Sequence, residues 1–244
     1  MDLNFSELEI KKEKIRDRLL TVPVLLYHNI DGKGPFSVTS EQLREQFLYL
    51  KKNGVKVVPL ADLLNRLENP VPFDGNVVVI TFDDGYKSMY SKLLPIVKEF
   101  NYPVTLFVYL DFIRNSSSTA LTWDELREMD RNGIDIQSHT ISHIDMTSFA
   151  DYNDPEASRV IFNELFMSRK IIEKELGKKV DVLAFPYGRL NLQAVKLSGE
   201  AGYKRVVSTE YGSNLITRNN YTIHRHHIKS DFSIKSIENI VFKY

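Results

Sequence analysis

The sequence predicts an α/β fold in which a parallel sheet or barrel is wrapped by helices. Short apolar, β-branched segments alternate with amphipathic helical segments about seven times, which is the pattern of a parallel sheet. The 244 residues contain no low-complexity linker and no sequence repeat, and this length lies at the upper end for one domain. We therefore expect a single domain with a large core.

The predicted elements follow one another through short connections. The run at 77–82 is apolar and β-branched, as is typical of a strand buried on both faces. The helix over 40–53 places Leu43, Phe47 and Leu50 on one face. The other predicted elements are strand 23–28, strand 55–58, helix 60–67, helix 87–101, strand 104–108, helix 123–132, strand 134–137, helix 154–176, strand 182–185, helix 192–201 and strand 205–208.

The N-terminal segment is predicted to be an extension of the domain. Residues 3–20 have the pattern of a charged amphipathic helix, so we expect a helical extension over 1–21 and the domain over 22–244. The acidic, polar start is unlike a signal peptide. No run of about 18 apolar residues occurs, so no transmembrane helix is expected.

Composition excludes some classes of function. The 32 basic residues balance the 32 acidic ones, whereas a dedicated nucleic-acid binder usually carries a basic excess. The same balance gives no support for attraction to an anionic membrane. Cysteine is absent, so a transition-metal site would have to use histidine and carboxylate ligands.

Polar clusters follow several of the predicted strands. In parallel α/β folds active groups collect at the carboxyl ends of strands, so these clusters are expected to meet at one rim. They are Tyr27-His28, Asp83-Asp84, His139 to His143, and Pro186-Tyr187-Gly188.

The Asp83-Asp84 pair has two interpretations. If the backbone turns at this point, as Gly85 permits, the two carboxylates point in different directions. One of them could then bind a cation while the other stays free as a base. Alternatively, the pair is the acidic N-cap of the following helix, and taken alone the segment favours this interpretation.

His139 and His143 also have two interpretations. A spacing of four on a loop entering a helix puts both imidazoles on one side. Two imidazoles and a carboxylate form a common catalytic zinc set that leaves positions open for water and substrate. Alternatively, they are surface histidines beside Thr140. The pair together with an upstream Asp pair, both at strand ends, favours the metal site.

The segments Thr81-Phe82-Asp83-Asp84-Gly85, His139-Thr140-Ile141-Ser142-His143 and Phe185-Pro186-Tyr187-Gly188 together resemble the motifs of a known family. This is the polysaccharide deacetylase family, also called the NodB-homology domain or carbohydrate esterase family 4. The resemblance covers residues 22–230 and implies a distorted (β/α) barrel with seven or eight strands.

The resemblance also implies roles for matching residues. Asp83 resembles the catalytic base, while Asp84, His139 and His143 resemble the ligands of a divalent metal, Zn²⁺ first, with Co²⁺, Ni²⁺ or Fe²⁺ as other options. Pro186 and Tyr187 resemble the segment that walls the substrate groove, with the Tyr187 N–H in the oxyanion hole. The reaction implied is hydrolysis of an N-acetyl group, which needs an activated water, a polarised carbonyl and a proton for the amine.

The proton donor departs from the commonest family pattern. Most members carry this histidine in a Leu-x-His motif near the C-terminus, whereas here Leu26-Tyr27-His28 lies near the N-terminus. That order resembles a circularly permuted branch associated with deacetylation of biofilm poly-N-acetylglucosamine. We therefore assign His28 as the general acid, against the alternative of a buried histidine bonded to backbone.

Two further family features are displaced or lacking. The arginine that orients the base is replaced by Ala184, and Arg225 is predicted to reach Asp83 from another strand. Alternation along 223–228 puts His224 and His226 on one face, which we expect to be a surface stripe, and Arg225 and His227 on the other. No Asp near a tryptophan matches the motif that tunes the acid.

The expected substrate is an acetylated amino-sugar polymer, most of all poly-β-1,6-N-acetylglucosamine. Tyr86, Trp123 and Tyr187 could stack on sugar rings, although packing is the favoured interpretation of each one taken alone. The alternatives are a deacetylase of peptidoglycan or chitin oligomers, and a silent relative that only binds glycan or metal. We expect a monomer, and the family implies an extracytoplasmic, secreted or cell-surface location.

Overall fold

The computed structural model describes residues 20–115, 117–149, 154–217 and 220–242. The predicted N-terminal helix lies outside these residues except for Leu20, so the division at residue 21 stays a prediction. The strands are β1 Thr21–Val22, β2 Val24–Tyr27, β3 Lys56–Val57, β4 Val77–Asp84, β5 Val104–Val108, β6 Ile134–Ser138, β7 Val182–Ala184, β8 Arg205–Val207, β9 Asn214–Leu215, β10 Thr222–Ile223 and β11 His226–His227.

Helices connect most of these strands, as the alternating pattern predicts. They are α1 Ser40–Lys52, α2 Leu60–Glu68, α3 Leu94–Phe100, α4 Leu110–Arg114, α5 Trp123–Arg131, α6 Pro155–Leu176, α7 Leu192–Glu200 and α8 Ile234–Phe242. None of the helices in the described ranges is long and apolar enough to cross a membrane.

The main sheet of the described residues has nine parallel strands. Eight follow one another in the order β10-β8-β7-β6-β5-β4-β2-β11, and β3 pairs with β4 beside this path. Residues 222–227 pair with β8 through β10 and with β2 through β11, so one short stretch of chain links the two edges. The sheet therefore curls on itself. The predicted α/β fold, a distorted barrel with seven or eight strands, is confirmed.

Strand β4 shows how the curled sheet separates two cores. Val77 and Val79 belong to an inner cluster with Phe107 and α2, whereas Val78 and Ile80 pack in the outer cluster beneath the helices. Side chains alternate between the faces of a strand. The same alternation continues beyond the apolar residues to the end of β4. Asp83 is the last inward-facing residue of the strand, and its side chain therefore points into the barrel interior.

The predicted helix over 87–101 is the clearest departure in the fold. Lys87 and Ser88 are helical, Met89–Leu93 form a π-helix, and the α-helix spans Leu94–Phe100. Pro95 lies directly after the π-helical turn and has no N–H to donate to it. A π-helical turn is a local irregularity of the hydrogen-bond pattern, which the hydrophobic pattern does not reveal.

Candidate active site

A cavity of about 570 Å³ opens where the strands of the curled sheet end. Most of the residues predicted for the active site line it: His28, Asp83, Asp84, Tyr86, His139, His143 and Tyr187. The rule that functional groups collect at the carboxyl ends of parallel strands therefore holds for this chain. Asp83 and Asp84 are the last two residues of β4 itself, two positions beyond the predicted strand end.

Asp84, His139 and His143 form one compact cluster of possible metal ligands. The two Nε2 atoms are 3.1 Å apart, and Asp84 Oδ1 lies 3.7 Å from His139 Nε2 and 3.6 Å from His143 Nε2. Ligands placed tetrahedrally about 2.0–2.1 Å from one ion are about 3.3–3.4 Å from each other. The three separations bracket that value, so this donor set fits a divalent ion such as Zn²⁺.

A backbone carbonyl sets the orientation of His139. Its Nδ1 lies 2.8 Å from the carbonyl oxygen of Ala184, which can only accept a hydrogen bond. Nδ1 must therefore carry the proton, and Nε2 presents its lone pair to the cluster. Such a second hydrogen bond is the usual way of fixing a metal-binding imidazole.

Strained backbone is concentrated at the site. Asp84, Thr140, His143 and Tyr187 have φ of 86°, 75°, 58° and 58°, in the left-handed region that residues other than glycine rarely adopt. Each such residue costs on the order of 1–3 kcal/mol. The sequence had suggested that the start of a helix places both histidines on one side. In the structure a strained bend places them there instead.

Glu164 of α6 holds that bend from outside the cavity. Its Oε2 accepts hydrogen bonds from the N–H groups of Ile141 and Ser142, both at 3.0 Å, and its Oε1 accepts one from the Ser142 hydroxyl at 2.8 Å. The His143 N–H donates to the Thr140 hydroxyl at 3.2 Å. No sequence motif had marked Glu164, because its role arises from contact between distant segments.

We expect Glu164→Ala to weaken zinc binding about tenfold, since residues that orient ligands typically contribute that much to metal affinity. Glu164→Gln keeps one acceptor oxygen and should lie between the alanine variant and the wild type. Titration of zinc against a competing chelator measures the effect. Glu156→Ala is the control, because Glu156 lies on the same helix and pairs with Arg159 at the surface. Equal affinities for Glu164→Ala and the wild type would refute the role.

Asp83 forms a two-pronged ion pair with Arg225. Nη1 of the arginine donates to Oδ1 at 2.8 Å and Nη2 donates to Oδ2 at 2.7 Å, with both residues buried. Arg225 is held in turn by the Ser208 carbonyl at 2.8 Å and the Thr81 hydroxyl at 3.3 Å. The predicted contact of Arg225 with Asp83 is present, but Arg225 lies on the link between β10 and β11 and not on a strand.

The two adjacent carboxyl groups have pKa values displaced in opposite directions. Burial raises the pKa of Asp83, but the charge and hydrogen bonds of Arg225 outweigh it and lower the pKa to about 2. Burial dominates at Asp84 and raises its pKa to about 6. Asp83 is thus ionised at neutral pH. Opposite displacement of neighbouring titratable groups is characteristic of catalytic sites.

His28 lines the same cavity as the cluster of possible metal ligands. Its Nδ1 is 3.2 Å from Nε2 of His227, and the two rings are stacked with centroids 4.6 Å apart. Burial lowers the pKa of His28 to about 3. The chain interrupts the predicted strand over 223–228 between β10 and β11. Within this segment Arg225 contacts Asp83 and His227 lines the cavity, so the two residues that alternation puts on one face both lie at the site.

The expected surface stripe of His224 and His226 is wrong. His226 is fully buried, with its Nε2 2.8 Å from the Ser213 hydroxyl. His224 is partly exposed and lies 3.3 Å from a carboxylate oxygen of Glu210. The stretch over 222–227, which links the two edges of the sheet, packs against other parts of the chain on both sides. Side-chain alternation therefore does not separate a solvent-exposed face from a buried face here.

The segment Pro186–Gly188 forms a kinked turn at the cavity mouth, in which Tyr187 has a left-handed φ of 58°. Tyr187 is 59% exposed, and its ring meets that of His143 edge-on at 4.8 Å. A Cβ on Gly188 would lie 2.4 Å from the Thr209 backbone nitrogen, so only glycine fits this close approach. The turn thereby carries Tyr187 to the rim, while Pro186 itself is buried.

The aromatic candidates have different positions. Tyr86 is partly buried and lines the cavity. Trp123 is the first residue of α5, packs against the outer core and is not among the residues that line the cavity. Phe36 was missed by the sequence analysis, yet it lines the cavity and is 41% exposed.

A curled parallel sheet with a cluster of possible metal ligands beside a buried ionised aspartate is an arrangement that suits hydrolysis. The family model described as polysaccharide deacetylase matches residues 71–206, more than half of the chain. This chain belongs to the polysaccharide deacetylase family and is an enzyme of that class. The match includes Asp83, Asp84, His139, His143 and Tyr187, but His28 and Arg225 lie outside it.

Curated relatives and a solved structure agree with this family. The chain is 28% identical to a poly-β-1,6-N-acetyl-D-glucosamine N-deacetylase of Staphylococcus aureus (strain MRSA252), over 80% of this chain and 69% of that protein. It is 24% identical to the enzyme of that name from Escherichia coli (strain K12), over 76% of this chain but only 33% of that protein. The structure of the Streptococcus pyogenes deacetylase PplD, in complex with acetate, has the same fold, with a TM-score of 0.82, 23% identity and coverage of 91% and 98%.

Proposed function

We propose that this enzyme removes N-acetyl groups from poly-β-1,6-N-acetylglucosamine and depends on a divalent metal, Zn²⁺ first. The observation that carries the proposal is the set of three ligand atoms 3.1–3.7 Å apart beside the ionised Asp83 in one cavity. The polymer is suggested by the names of the S. aureus and E. coli relatives. Such polymers lie outside the cell membrane, so we propose that the enzyme works there.

Each residue of the site has a separate role in the proposed hydrolysis. A divalent ion on Asp84, His139 and His143 supplies Lewis-acid chemistry when bound, by lowering the pKa of water and polarising a carbonyl. Asp83, ionised and fixed by Arg225, accepts the proton of the attacking water. The Tyr187 N–H stabilises the developing oxyanion, and His28 gives a proton to the departing amine.

The walls of the cavity suit an uncharged, extended sugar polymer. The exposed rings of Tyr187 and Phe36 offer flat apolar faces at the mouth, while Tyr86 lies further in. Aromatic rings of this kind pack against apolar faces of ligands and retain a polar tip where the residue is tyrosine. The balanced net charge of the chain agrees with a substrate that is not strongly charged.

Acetate release from three polymers tests the proposal. We expect the metal-loaded enzyme to release acetate from poly-β-1,6-N-acetylglucosamine faster than from chitin oligomers or peptidoglycan, and a strong chelator to abolish the release. Added zinc should restore it. Preference for chitin or peptidoglycan would contradict the proposed linkage, activity unaffected by chelator would contradict metal dependence, and metal binding without release would indicate a silent relative.

A further inference from the structure

His227 is held beside the proposed general acid by the pairing of two strands. Strand β11 runs parallel to β2 with His227 opposite Leu26, so the histidine lies next to the chain as it leaves β2 for His28. The ring of His227 contacts two others. Its centroid is 4.6 Å from that of His28 and 4.1 Å from that of Phe36, and the centroids of His28 and Phe36 are 6.0 Å apart, so the three rings form one cluster.

This contact engages one particular nitrogen of His28. Nδ1 lies 3.2 Å from Nε2 of His227, which leaves Nε2 of His28 as the ring nitrogen not used in the pair. A hydrogen bond at one imidazole nitrogen determines which of the two ring nitrogens is protonated in the neutral ring. If His227 accepts from Nδ1, the proton that His28 transfers must leave from Nε2.

We propose that His227 is a positioning residue for His28, accepting its Nδ1–H and so directing Nε2–H toward the departing amine. The inference rests on the proposed function of this site. Because burial lowers the pKa of His28 to about 3, His28 rests neutral, with its Nδ1–H donated to His227. In the step itself, Nε2 first takes a proton from solvent. The amine nitrogen then takes that proton and the electron pair of the carbon–nitrogen bond as the bond breaks, and His28 returns to its neutral form.

The charged groups around His28 and His227 are compatible with His227 acting as a neutral hydrogen-bond acceptor. Asp83, Arg225 and His139 face His28, and Asp83, Arg225 and Lys229 act on His227. Asp83, the anion in that set, is already paired with Arg225. Burial lowers the pKa of His227 to about 4, so its Nε2 can remain an acceptor at neutral pH.

Two substitutions at His227 separate hydrogen bonding from packing. His227→Phe keeps a flat ring in contact with His28 and Phe36 but removes the acceptor. His227→Gln gives up the ring and places an amide oxygen near the position of Nε2. We expect His227→Phe to lower kcat on an N-acetyl glycan about 10- to 100-fold with little change in KM, and His227→Gln to restore most of it.

The pH profile and the leaving group provide readouts that a purely structural role would not move. Loss of the acceptor destabilises protonated His28, so the alkaline limb of kcat for His227→Phe should shift to lower pH. On p-nitrophenyl acetate, whose leaving group needs no proton, His227→Phe should retain the wild-type rate. Equal losses on ester and amide, or full amide activity, would overturn the inference.

A measurement of the tautomer separates this inference from the proposed function. In ¹⁵N-resolved spectra of the histidine rings, His28 Nδ1 should be protonated in the wild type and in His227→Gln. In His227→Phe this preference for protonation at Nδ1 should be lost. His224→Gln is the control, since His224 contacts Glu210 and lies outside the pair. A His28 with unprotonated Nδ1 would refute the inference, whereas a wild type inactive on every glycan would refute only the proposed function.

Discussion

Replacing Asp83 by asparagine is expected to lower acetate release about 10²- to 10⁴-fold, the range that a general base contributes. The amide retains the shape of the side chain but cannot accept the proton of the attacking water. Metal binding should survive, because the candidate ligands are Asp84, His139 and His143 and none of them is altered. Acetate assays and zinc titration on the same preparation measure the two properties separately.

The same substitution has a cost for the fold. Arg225 is fully buried, and without the Asp83 charge its guanidinium loses its counter-ion. Removing one member of a buried ion pair typically costs about 3–5 kcal/mol. Asp83→Asn should therefore unfold at a lower denaturant concentration than the wild type, and activity must be compared at a temperature where both are folded.

Asp74→Asn is the matched control for Asp83→Asn. Asp74 pairs with Lys56 at the surface, and its side chain is fully exposed. A surface pair of this kind contributes about 0–1 kcal/mol, so neither stability nor acetate release should change by much. Substantial activity in folded Asp83→Asn would show that another group is the base.

Most of the ligand set could be read from the sequence because it depends on local pattern. The strand before Asp83 is a continuous apolar run, and the rule for carboxyl ends of strands placed both aspartates and both histidines at one rim. The alternation of side chains along β4 also predicts that Asp83 points inward, where Arg225 lies. Neither step requires knowledge of how distant segments meet.

The supporting residues could not be read in this way. Glu164 reaches the bend at Ile141 and Ser142 across more than twenty residues, and His227 meets His28 from the other end of the chain. No spacing rule links such partners, because the closure of the sheet and the packing of α6 bring them together. The error at His226 has the same origin.

Replacing Arg225 by methionine is expected to harm both stability and activity, about as much as Asp83→Asn does. Asp83 would remain buried without its cation, at a cost of about 3–5 kcal/mol. Its pKa, lowered to about 2 by Arg225, would then be raised by burial. Acetate release should fall about as far as in Asp83→Asn, because the base is no longer fixed in an ionised form.

The pH dependence of this loss follows from the direction of the two pKa changes. In the wild type the lowered pKa of Asp83 stabilises the fold above the pKa of the unfolded carboxyl, and this stability is lost as pH falls toward about 2. In Arg225→Met the raised pKa destabilises the fold at neutral pH, and acidification relieves the penalty. The stability difference between the two metal-free proteins should therefore shrink between about pH 7 and pH 4.

The double variant Asp83→Asn with Arg225→Met distinguishes chemistry from folding. It leaves no buried charge at this position, so it should be more stable than Arg225→Met alone while remaining as inactive as either single variant. Arg225→Lys keeps a charge but loses the fork that holds both carboxylate oxygens, and it should recover stability more than rate. Denaturant unfolding and acetate release are measured on all four proteins. Recovery of activity in the double variant would mean that the ion pair serves the fold and that the base lies elsewhere.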